Sequence, residues 1–350
     1  MCILALADDM TGALEVGAKF SAAGIDTLVS TQPVAANSAH AVVLDTETRH
    51  LSPDAAAAEI KRFVLPWYAN PPRLIYKKTD STLRGNIASE LQALAELYPE
   101  WRIGYAPAYP ALGRTVKSGV LFVDGVAVEQ TAFARDARNP VRTGSIAAML
   151  HPELPCTVFD GETGEHLQDA ARSIIESNSM RIAAGPAGLG EMIAALIHLP
   201  RGIAPPLPAI RRCLVLNGSL HERSELQMRN ADAARWLLLR REYPPGSDPA
   251  RVAKENGGYL VSRIAADDPD AIFVIGGDSA FAVIEALGTP PLLPIRELLP
   301  GVPVTRITSA SLRDVLPARS RDLLLITKAG GFGHPDVFSR IRQQLDSNAQ

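Results

Sequence analysis

The chain has 350 residues, of which 47% are hydrophobic and 21% charged, and its formal net charge is −3. This length accommodates two domains, and the charge balance argues against a general nucleic-acid binder, because such domains usually carry a basic surplus. Cys2, Cys156 and Cys213 are too scattered for a disulfide framework or a zinc site. The sequence contains no apolar stretch near the ~20 residues of a membrane span, and "MCILALADDMTGAL" lacks the basic leader of a signal peptide. These features predict a cytoplasmic protein that binds neither nucleic acid nor membrane.

Strand-like and helix-like segments alternate through the first 200 residues. "CILALA" precedes a predicted helix from Thr11 to Ala23, "AHAVVLDT" precedes one from Pro53 to Phe63, and "RLIYKKT" precedes "NIASELQALAELY". Apolar strands alternating with helices are typical of parallel sheets that are covered on both faces. "SGVLFVDGVAVEQT" interrupts this alternation, and its Asp124-Gly125 pair predicts a hairpin. A further helix is predicted near Glu165–Ser177.

A proline-rich stretch marks the predicted domain boundary. "LPRGIAPPLPAI" holds four prolines in twelve residues, a composition that stiffens a chain and blocks helices. Beyond it follow "CLVLNG", a helix over Glu222–Leu239, "AIFVIGG", a helix over Ser279–Leu287 and "DLLLITKAGGFG". We therefore predict two α/β domains with largely parallel sheets, 1–200 and the smaller 213–350, joined by a linker at 201–212.

Two adjacent carboxylates follow the first predicted strand. Asp8 and Asp9 stand where "LALA" gives way to a helix, and in parallel α/β sheets ligands bind beyond the carboxyl ends of strands. Thr11 or Asp9 could cap that helix, which explains a single aspartate equally well. Two carboxylates exceed what a cap needs, so one of them is a candidate general base for a substrate hydroxyl.

The segment "KKTDSTLRGN" places a dense polar cluster at the end of another predicted strand. The Arg84 guanidinium offers a planar fork that suits a carboxylate, and Asp80, Ser81 and Asn86 suit sugar hydroxyls. The following helix N-terminus favours an anion. The alternative is a capped helix with a solvated turn, but the density of polar residues exceeds what one cap requires. We interpret the cluster as a binding site for a small oxygenated anion.

Two further polar loops occur in the first half. "APAYPALGRTVKSG" carries Arg114 and Lys117, and "QTAFARDARNPV" carries Arg135, Asp136 and Arg138. Each loop taken alone could be an ordinary surface charge run. Together with the two strand-end clusters, they favour a pocket for an acid sugar.

Glycine-rich turns follow the strands of the second half. "FVIGGDSAFAVIEALG" and "LLLITKAGGFGHPDVF" place glycines between a strand and a helix, where backbone amides can surround a phosphate. Lys328 adds a point charge, and "LNGSLHERSELQM" adds Ser219 and His221 as candidate nucleotide contacts. Neither turn matches the Walker or dinucleotide fingerprint. The alternatives are turns without a ligand and, for His221, an exposed residue at a helix start.

Six motifs occur in an order that is typical of one enzyme family. In the first half these are "ADDMTGALEVGAKFSAAG", "KKTDSTLRGNIASEL" and "APAYPALGRTVKSGVLFVDGVAVEQTAFARDARNP", and in the second half "NGSLHERSELQ", "GGDSAFAVIEALG" and "TKAGGFG". With them the chain resembles the four-carbon acid sugar kinase family, whose members phosphorylate short sugar acids with ATP. The resemblance implies an N-terminal domain for the sugar acid, a C-terminal domain for ATP and an active site in the cleft between them.

The residues and the resemblance together give the candidate site residues. The predicted catalytic residues are Asp8, Asp9 and Arg84. The predicted substrate-binding residues are Asp9, Lys78, Asp80, Ser81, Arg84, Asn86 and Arg114. The predicted nucleotide-binding residues are Ser219, His221, Gly276, Gly277, Asp278, Ser279, Lys328, Gly330, Gly331 and Gly333. No metal ligand is assigned. His221 stands where the family usually has a small hydroxyl residue, and the chain is shorter than typical members between Met228 and Val261.

We therefore expect an ATP- and Mg²⁺-dependent kinase that acts on a terminal hydroxyl of a short sugar acid such as threonate, erythronate or a 3-oxo-acid. One alternative is a sugar-acid-binding regulatory protein with weakened catalysis, against which the intact glycine turns argue. A second is a NAD(P)-dependent dehydrogenase, which lacks its fingerprint in this sequence. A homodimer is the base-rate expectation for assembly.

Overall fold

The computed structural model describes residues 2–35, 39–136, 138–232, 236–239, 241, 243–244 and 246–347. Contacts divide the chain into two compact units. The first unit comprises Met1–Thr27 and Thr31–Gly202, and the second comprises Leu28–Ser30 and Ile203–Gln350. The segment 201–212, predicted as a linker, contains neither helix nor strand.

Ten strands and six α-helices are described up to residue 202. The strands are β1 (Ile3–Ala7), β2 (Thr27–Ser30), β3 (Ala41–Asp45), β4 (Leu74–Lys78), β5 (Arg102–Tyr105), β6 (Arg114–Lys117), β7 (Val120–Val123), β8 (Val126–Ala127), β9 (Cys156–Val158) and β10 (Met180–Gly185). The helices are α1 (Met10–Ala22), α2 (Pro53–Val64), α3 (Ile87–Leu97), α4 (Ile146–Met149), α5 (Gly164–Glu176) and α6 (Ala187–Leu196). The helices predicted in this half are confirmed.

Seven of these strands form one sheet in the order β2-β3-β1-β4-β10-β5-β9. Strand β1 pairs in parallel with β3 on one side and β4 on the other. All residues of these three strands are buried, which explains why they are nearly continuous apolar runs. In register, Ala7 lies opposite Asp45 and Lys78. The loops that follow these three strands therefore leave the sheet at the same edge.

The predicted hairpin is also confirmed. Strands β6, β7 and β8 form a small antiparallel sheet. The turn between β7 and β8 has φ values of 50° at Asp124 and 82° at Gly125. Both lie in the left-handed region, as a two-residue hairpin turn with the twist of its flanking strands requires.

The second unit contains a six-stranded sheet in the order β12-β11-β13-β16-β15-β14. Its elements are β11 (Cys213–Asn217), α7 (Glu222–Asn230), β12 (Leu237–Leu239), α8 (Pro249–Asp267), β13 (Ala271–Ile275), α9 (Gly277–Ala286), β14 (Leu293–Leu299), β15 (Val302–Ile307), β16 (Leu323–Lys328) and α10 (Val337–Ser347). The first four strands in the sheet order are parallel, and β15 and β14 add an antiparallel edge. Together the two sheets confirm the predicted α/β class.

The predicted helix over Glu222–Leu239 is wrong in its second half. Helix α7 ends at Asn230, and the leucines at 237–239 form the edge strand β12, which pairs with β11. A short apolar run does not distinguish the end of a helix from a strand. Residues 233–235 lie outside the described part of the chain.

Helix α8 was not predicted, because its Gly257-Gly258 pair is typical of a turn. A Cβ atom at Gly257 would lie 2.6 Å from the Ala282 carbonyl oxygen of α9, so glycine permits this close helix contact. Among the described helices, none has the combined length and apolar character needed to cross a membrane.

Candidate active site

Three loops meet at the carboxyl edge of the first sheet. The loop after β1 carries Asp8 and Asp9, and the loop after β3 carries Arg49. The loop after β4 carries Asp80 and Arg84. Asp9 is the N-cap of α1, and its Oδ1 accepts from the Gly12 amide at 3.1 Å. Asp9 therefore has the capping role that the sequence allowed, and it also contacts Arg49.

Arg49 lies at the centre of the three loops. Its Nε and Nη2 donate to the two Asp8 carboxylate oxygens at 2.7 and 2.9 Å. Its Nη1 and Nη2 donate to those of Asp9 at 2.9 and 2.8 Å, and Asp80 Oδ1 lies 3.8 Å from Nη2. Burial acts to raise the pKa of Asp8, but Arg49 and Lys77 outweigh burial and hold the pKa below its usual range.

Arg84 forms a second carboxylate pair beside the first. Its Nε and Nη2 donate to Asp80 at 3.1 and 2.8 Å, and its Nη1 lies 3.4 Å from Asp136. Although burial opposes ionisation of Asp80, Arg84 and Arg49 hold its pKa well below the usual range. The guanidinium also lies 5.4 Å from the Phe133 ring centroid. The polar loop that carries Asp136 therefore joins this cluster, as the sequence predicts.

Both lysines of "KKTDST" are buried. Lys77 forms an ion pair with Glu90 at 3.1 Å, and both side chains are almost completely inaccessible. Lys78 Nζ donates to the Thr79 carbonyl at 3.1 Å and lies 4.0 Å from Glu15 Oε2. Because a buried cation needs a partner, these contacts account for the burial of two lysine side chains at the same sheet edge.

Glu47 and Arg49 were not predicted as site residues. Glu47 Oε1 accepts from the Met10 amide at 3.0 Å. Burial and the nearby charge of Asp9 raise the pKa of Glu47 to about 8. Its φ of 47° lies in the left-handed region, which is costly for a residue other than glycine. The position of "DTETRH" directly after a predicted strand was the signal that could have identified both residues.

The remaining predicted substrate residues occupy the margins of the cluster. Both donors of the Asn86 amide go to the carbonyls of Thr48 and Leu51 at 2.9 Å, so Asn86 fixes the Arg49 loop. Ser81 is buried in the turn before Arg84. At Arg114, burial lowers the pKa, and the charges of Asp124, Asp80 and Arg84 also act on its guanidinium.

In the second unit, three glycine-containing turns lie side by side at the carboxyl edge of the sheet. The Gly218 amide donates to the Ile275 carbonyl, and the Gly276 amide donates to that of Lys328, each at 2.9 Å. A Cβ atom at Gly218 would lie 1.8 Å from Ser279 Oγ, and one at Gly330 would lie 1.9 Å from Ser219 Oγ. The turns therefore pack at distances that only glycine allows.

These turns form a cradle that suits phosphate oxygens. Helix α9 begins at Gly277, and its N-cap Gly276 has a φ of 111°. The exposed His221 caps α7 by accepting from the Arg223 amide at 3.1 Å, and it abuts Gly331. Because amides and the helix dipole at such positions attract anions, the cradle fits a nucleotide phosphate. His221 also has the helix-start role that was considered as its alternative.

Lys328 lies at the end of β16, directly before the glycine turn. All three of its donors are directed within its own loop, to the carbonyls of Ala329, Gly330 and Phe332 at 2.8, 3.3 and 3.0 Å. The side chain is buried, and burial together with the charge of Arg223 lowers its pKa to about 7. In this structure Lys328 thus holds the glycine turn, and its predicted contact with a nucleotide phosphate stays a prediction. Gly333, with a φ of 85°, completes the turn around it.

Comparisons with known proteins match both halves of the chain. A family described as a sugar-binding N-terminal domain matches residues 3–155, and one described as a nucleotide-binding C-terminal domain matches residues 247–338. The chain is 27% identical to the D-threonate kinase of Bordetella bronchiseptica, over 97% of this chain and 96% of that kinase. It is 24% identical to the 3-oxo-tetronate kinase of Brucella melitensis, over 95% and 93%. The chain belongs to the four-carbon acid sugar kinase family.

Solved structures share the fold of this chain. A Salmonella typhimurium protein superposes with a TM-score of 0.78 at 18% identity, covering 98% of this chain and 99% of that one. A Bordetella bronchiseptica protein, crystallised as a domain-swapped dimer with bound citrate, gives a TM-score of 0.52 at 26% identity and covers 98% of each chain. The sugar-binding match contains the whole Asp8–Arg49–Arg84 cluster. The nucleotide-binding match contains the turns after β13 and β16.

Proposed function

We propose that this protein transfers the γ-phosphoryl group of ATP to a terminal hydroxyl of a four-carbon or similarly short sugar acid. One observation carries the proposal: buried carboxylates and guanidinium groups share a sheet edge in one unit, and a glycine cradle lines the sheet edge of the other. The activities of the relatives, D-threonate kinase and 3-oxo-tetronate kinase, support this substrate class. We assign the sugar acid to residues 1–200 and the nucleotide to residues 213–350.

Arg84 is the proposed anchor for the substrate carboxylate. Asp80 takes the Nε–Nη2 edge of its guanidinium, whereas the Nη1–Nη2 edge meets Asp136 only at 3.4 Å. A carboxylate could replace this long contact with a bidentate pair, which is stronger and fixes orientation. Lys78 would add positive charge. A relative with bound citrate, itself a carboxylic acid, is consistent with an acid ligand in this family.

Asp9, or alternatively Asp8, is the proposed base. The substrate hydroxyl oxygen forms a bond to the γ-phosphorus as the bond from that phosphorus to the β–γ bridging oxygen breaks, and the hydroxyl proton passes to the carboxylate. The glycine turns position the phosphates through backbone amides. Mg²⁺ would offset phosphate charge, and it usually needs only one or two protein carboxylates. Asp278, in the first turn of α9, is the carboxylate nearest the cradle in sequence.

Release of ADP tests the proposal. The protein is incubated with ATP, Mg²⁺ and each of D-threonate, L-threonate, D-erythronate and L-erythronate, with a 3-oxo-acid and a branched acid included. The matched polyols threitol and erythritol, which lack the carboxylate, serve as controls. We expect acid-dependent ADP release with at least one acid and little with either polyol. ADP release that no acid increases, or that the polyols support equally well, would refute the proposed activity.

A further inference from the structure

The Arg49 guanidinium could bind an anion, but its N–H groups already donate to carboxylates of the protein. Four of its five N–H groups are directed to Asp8 and Asp9, and both edges of the fork are occupied. Its side chain is 12% exposed, against 25% for Arg84. A substrate carboxylate would have to displace an aspartate from Arg49, whereas at Arg84 it would displace only the long contact to Asp136.

The backbone around Arg49 is fixed on two sides. The Arg49 amide donates to the Asp8 carbonyl at 3.1 Å, and the Thr46 amide donates to the Ala7 carbonyl at 2.9 Å. On the other side, Asn86 holds two carbonyls of the same loop. The guanidinium is therefore held in place before any ligand binds, which is the arrangement expected of a group that orients others.

The fixed guanidinium determines the orientation of the Asp8 and Asp9 carboxylates. Successive side chains in an extended segment point to opposite sides, and two adjacent carboxylates repel each other. Both nevertheless converge on one guanidinium. A Cβ atom at Gly12 would lie 2.7 Å from Asp9 Oδ1, so the glycine leaves the space that this carboxylate occupies.

We propose that Arg49 is a positioning residue, which holds the Asp8 and Asp9 carboxylates side by side so that one can accept the proton of the substrate hydroxyl. This inference rests on the proposed kinase activity. It assigns the two arginines different tasks, since Arg84 binds the substrate and Arg49 aligns the base. Loss of Arg49 should lower turnover, whereas loss of the Arg84 fork should weaken binding of the acid.

The test compares Arg49→Lys, Arg49→Met and Arg84→Lys in the full chain. We expect Arg49→Lys to lower kcat by about 10- to 100-fold with the KM for the acid within about 3-fold, because lysine cannot orient two carboxylates. Arg84→Lys should raise the KM for the acid by about 10-fold or more with a smaller change in kcat. In Arg49→Met the cation that most lowers the pKa of Asp8 is lost, and only Lys77 and Lys78 still oppose the effect of burial. The pKa of Asp8 should therefore rise, and the acid limb of the kcat profile should move to higher pH.

Arg181→Gln is the matched control. Arg181 lies in the first unit at the amino end of β10, where its Nη2 donates to the Pro72 carbonyl at 2.7 Å and its guanidinium lies 3.9 Å from the Trp101 ring centroid. Its loss should lower thermal stability but leave the pH profile unchanged. Nucleotide binding to each variant gives the folded fraction by which kcat is normalised.

The outcomes separate the two proposals. An inactive wild-type protein refutes the kinase activity itself. An active wild type with unchanged kcat in Arg49→Lys and an unmoved acid limb in Arg49→Met refutes the positioning role alone. A rise in the KM for the acid without a fall in kcat in Arg49→Lys would overturn it too, because Arg49 would then be a substrate ligand. If Arg49→Met does not fold, the split between KM and kcat in Arg49→Lys decides.

Discussion

Asp9 accepts four hydrogen bonds in this structure. The Gly12 amide and Arg49 Nη2 donate to Oδ1, and the Thr11 hydroxyl and Arg49 Nη1 donate to Oδ2. A carboxylate has about four lone-pair sites. A substrate hydroxyl that donates to Asp9 must therefore replace one of these donors. The Thr11 hydroxyl can turn away at the least cost, because its hydrogen rotates about the C–O bond.

The substitution Asp9→Asn distinguishes the helix-capping role of Asp9 from the role of its negative charge. Asparagine caps helices about as well as aspartate, so α1 should form and thermal stability should change little through the cap. Turnover should fall by about 100-fold or more, because the amide cannot take the proton. Steady-state kcat together with a thermal melt checks both expectations. Asp54→Asn, in the exposed first turn of α2, is the matched control and should keep wild-type turnover.

Near-normal turnover in Asp9→Asn would remove Asp9 as the base and leave Asp8 as the candidate. At this scale the sequence identified Asp8, Asp9, Asp80 and Arg84 from their residue types and strand-end positions. It did not identify Arg49, because the partners of Arg49 follow from the adjacency of β1 and β3. Strand order in a sheet depends on the packing of the whole unit, and no local pattern contains it.

At the scale of elements, the close packing of the strand-end turns in the second unit depends on glycines, which have no Cβ atom. The clearest case is Gly330, where a Cβ atom would lie 1.9 Å from Ser219 Oγ and 2.6 Å from Ser219 Cβ. Rotation of the Ser219 hydroxyl cannot relieve the contact with its Cβ atom. A methyl group at this position must therefore displace one turn relative to the other.

Gly330→Ala should weaken nucleotide binding by about 10-fold or more, because an overpacked contact of this kind costs ~1–3 kcal/mol. Calorimetric titration with ATP measures the change. Gly258→Ala is the matched control, since a Cβ atom there has no neighbour within 4 Å among the described residues. It lies inside α8, where alanine should stabilise the helix by up to ~1 kcal/mol and leave ATP affinity unchanged.

Wild-type ATP affinity in Gly330→Ala would contradict a nucleotide site at these turns. The sequence predicted the turns themselves, because glycines directly after an apolar strand are typical of a turn between a strand and a helix. It did not predict α8, in which Gly257 provides a close helix contact, nor the antiparallel strands β14 and β15. Both depend on what an element packs against, so their local composition was misleading.

At the scale of the whole molecule, alternating apolar and helical segments were sufficient to predict two α/β units. That pattern reports burial of a sheet on both faces, which is a property of each unit as a whole. The stereochemistry of the substrate, by contrast, cannot be predicted from such a pattern. Threonate and erythronate differ at one carbon, and the choice between them depends on side-chain positions that neither periodicity nor motif spacing specifies.

The central claim is transfer of a phosphoryl group from ATP to a carboxylated polyol. Phosphorus NMR on a reaction of the wild-type protein with ATP, Mg²⁺ and the acid that releases most ADP measures it directly. We expect one new phosphomonoester signal that grows in equal amount with ADP. Release of inorganic phosphate with ADP, with no phosphomonoester signal, would contradict sugar acid phosphorylation.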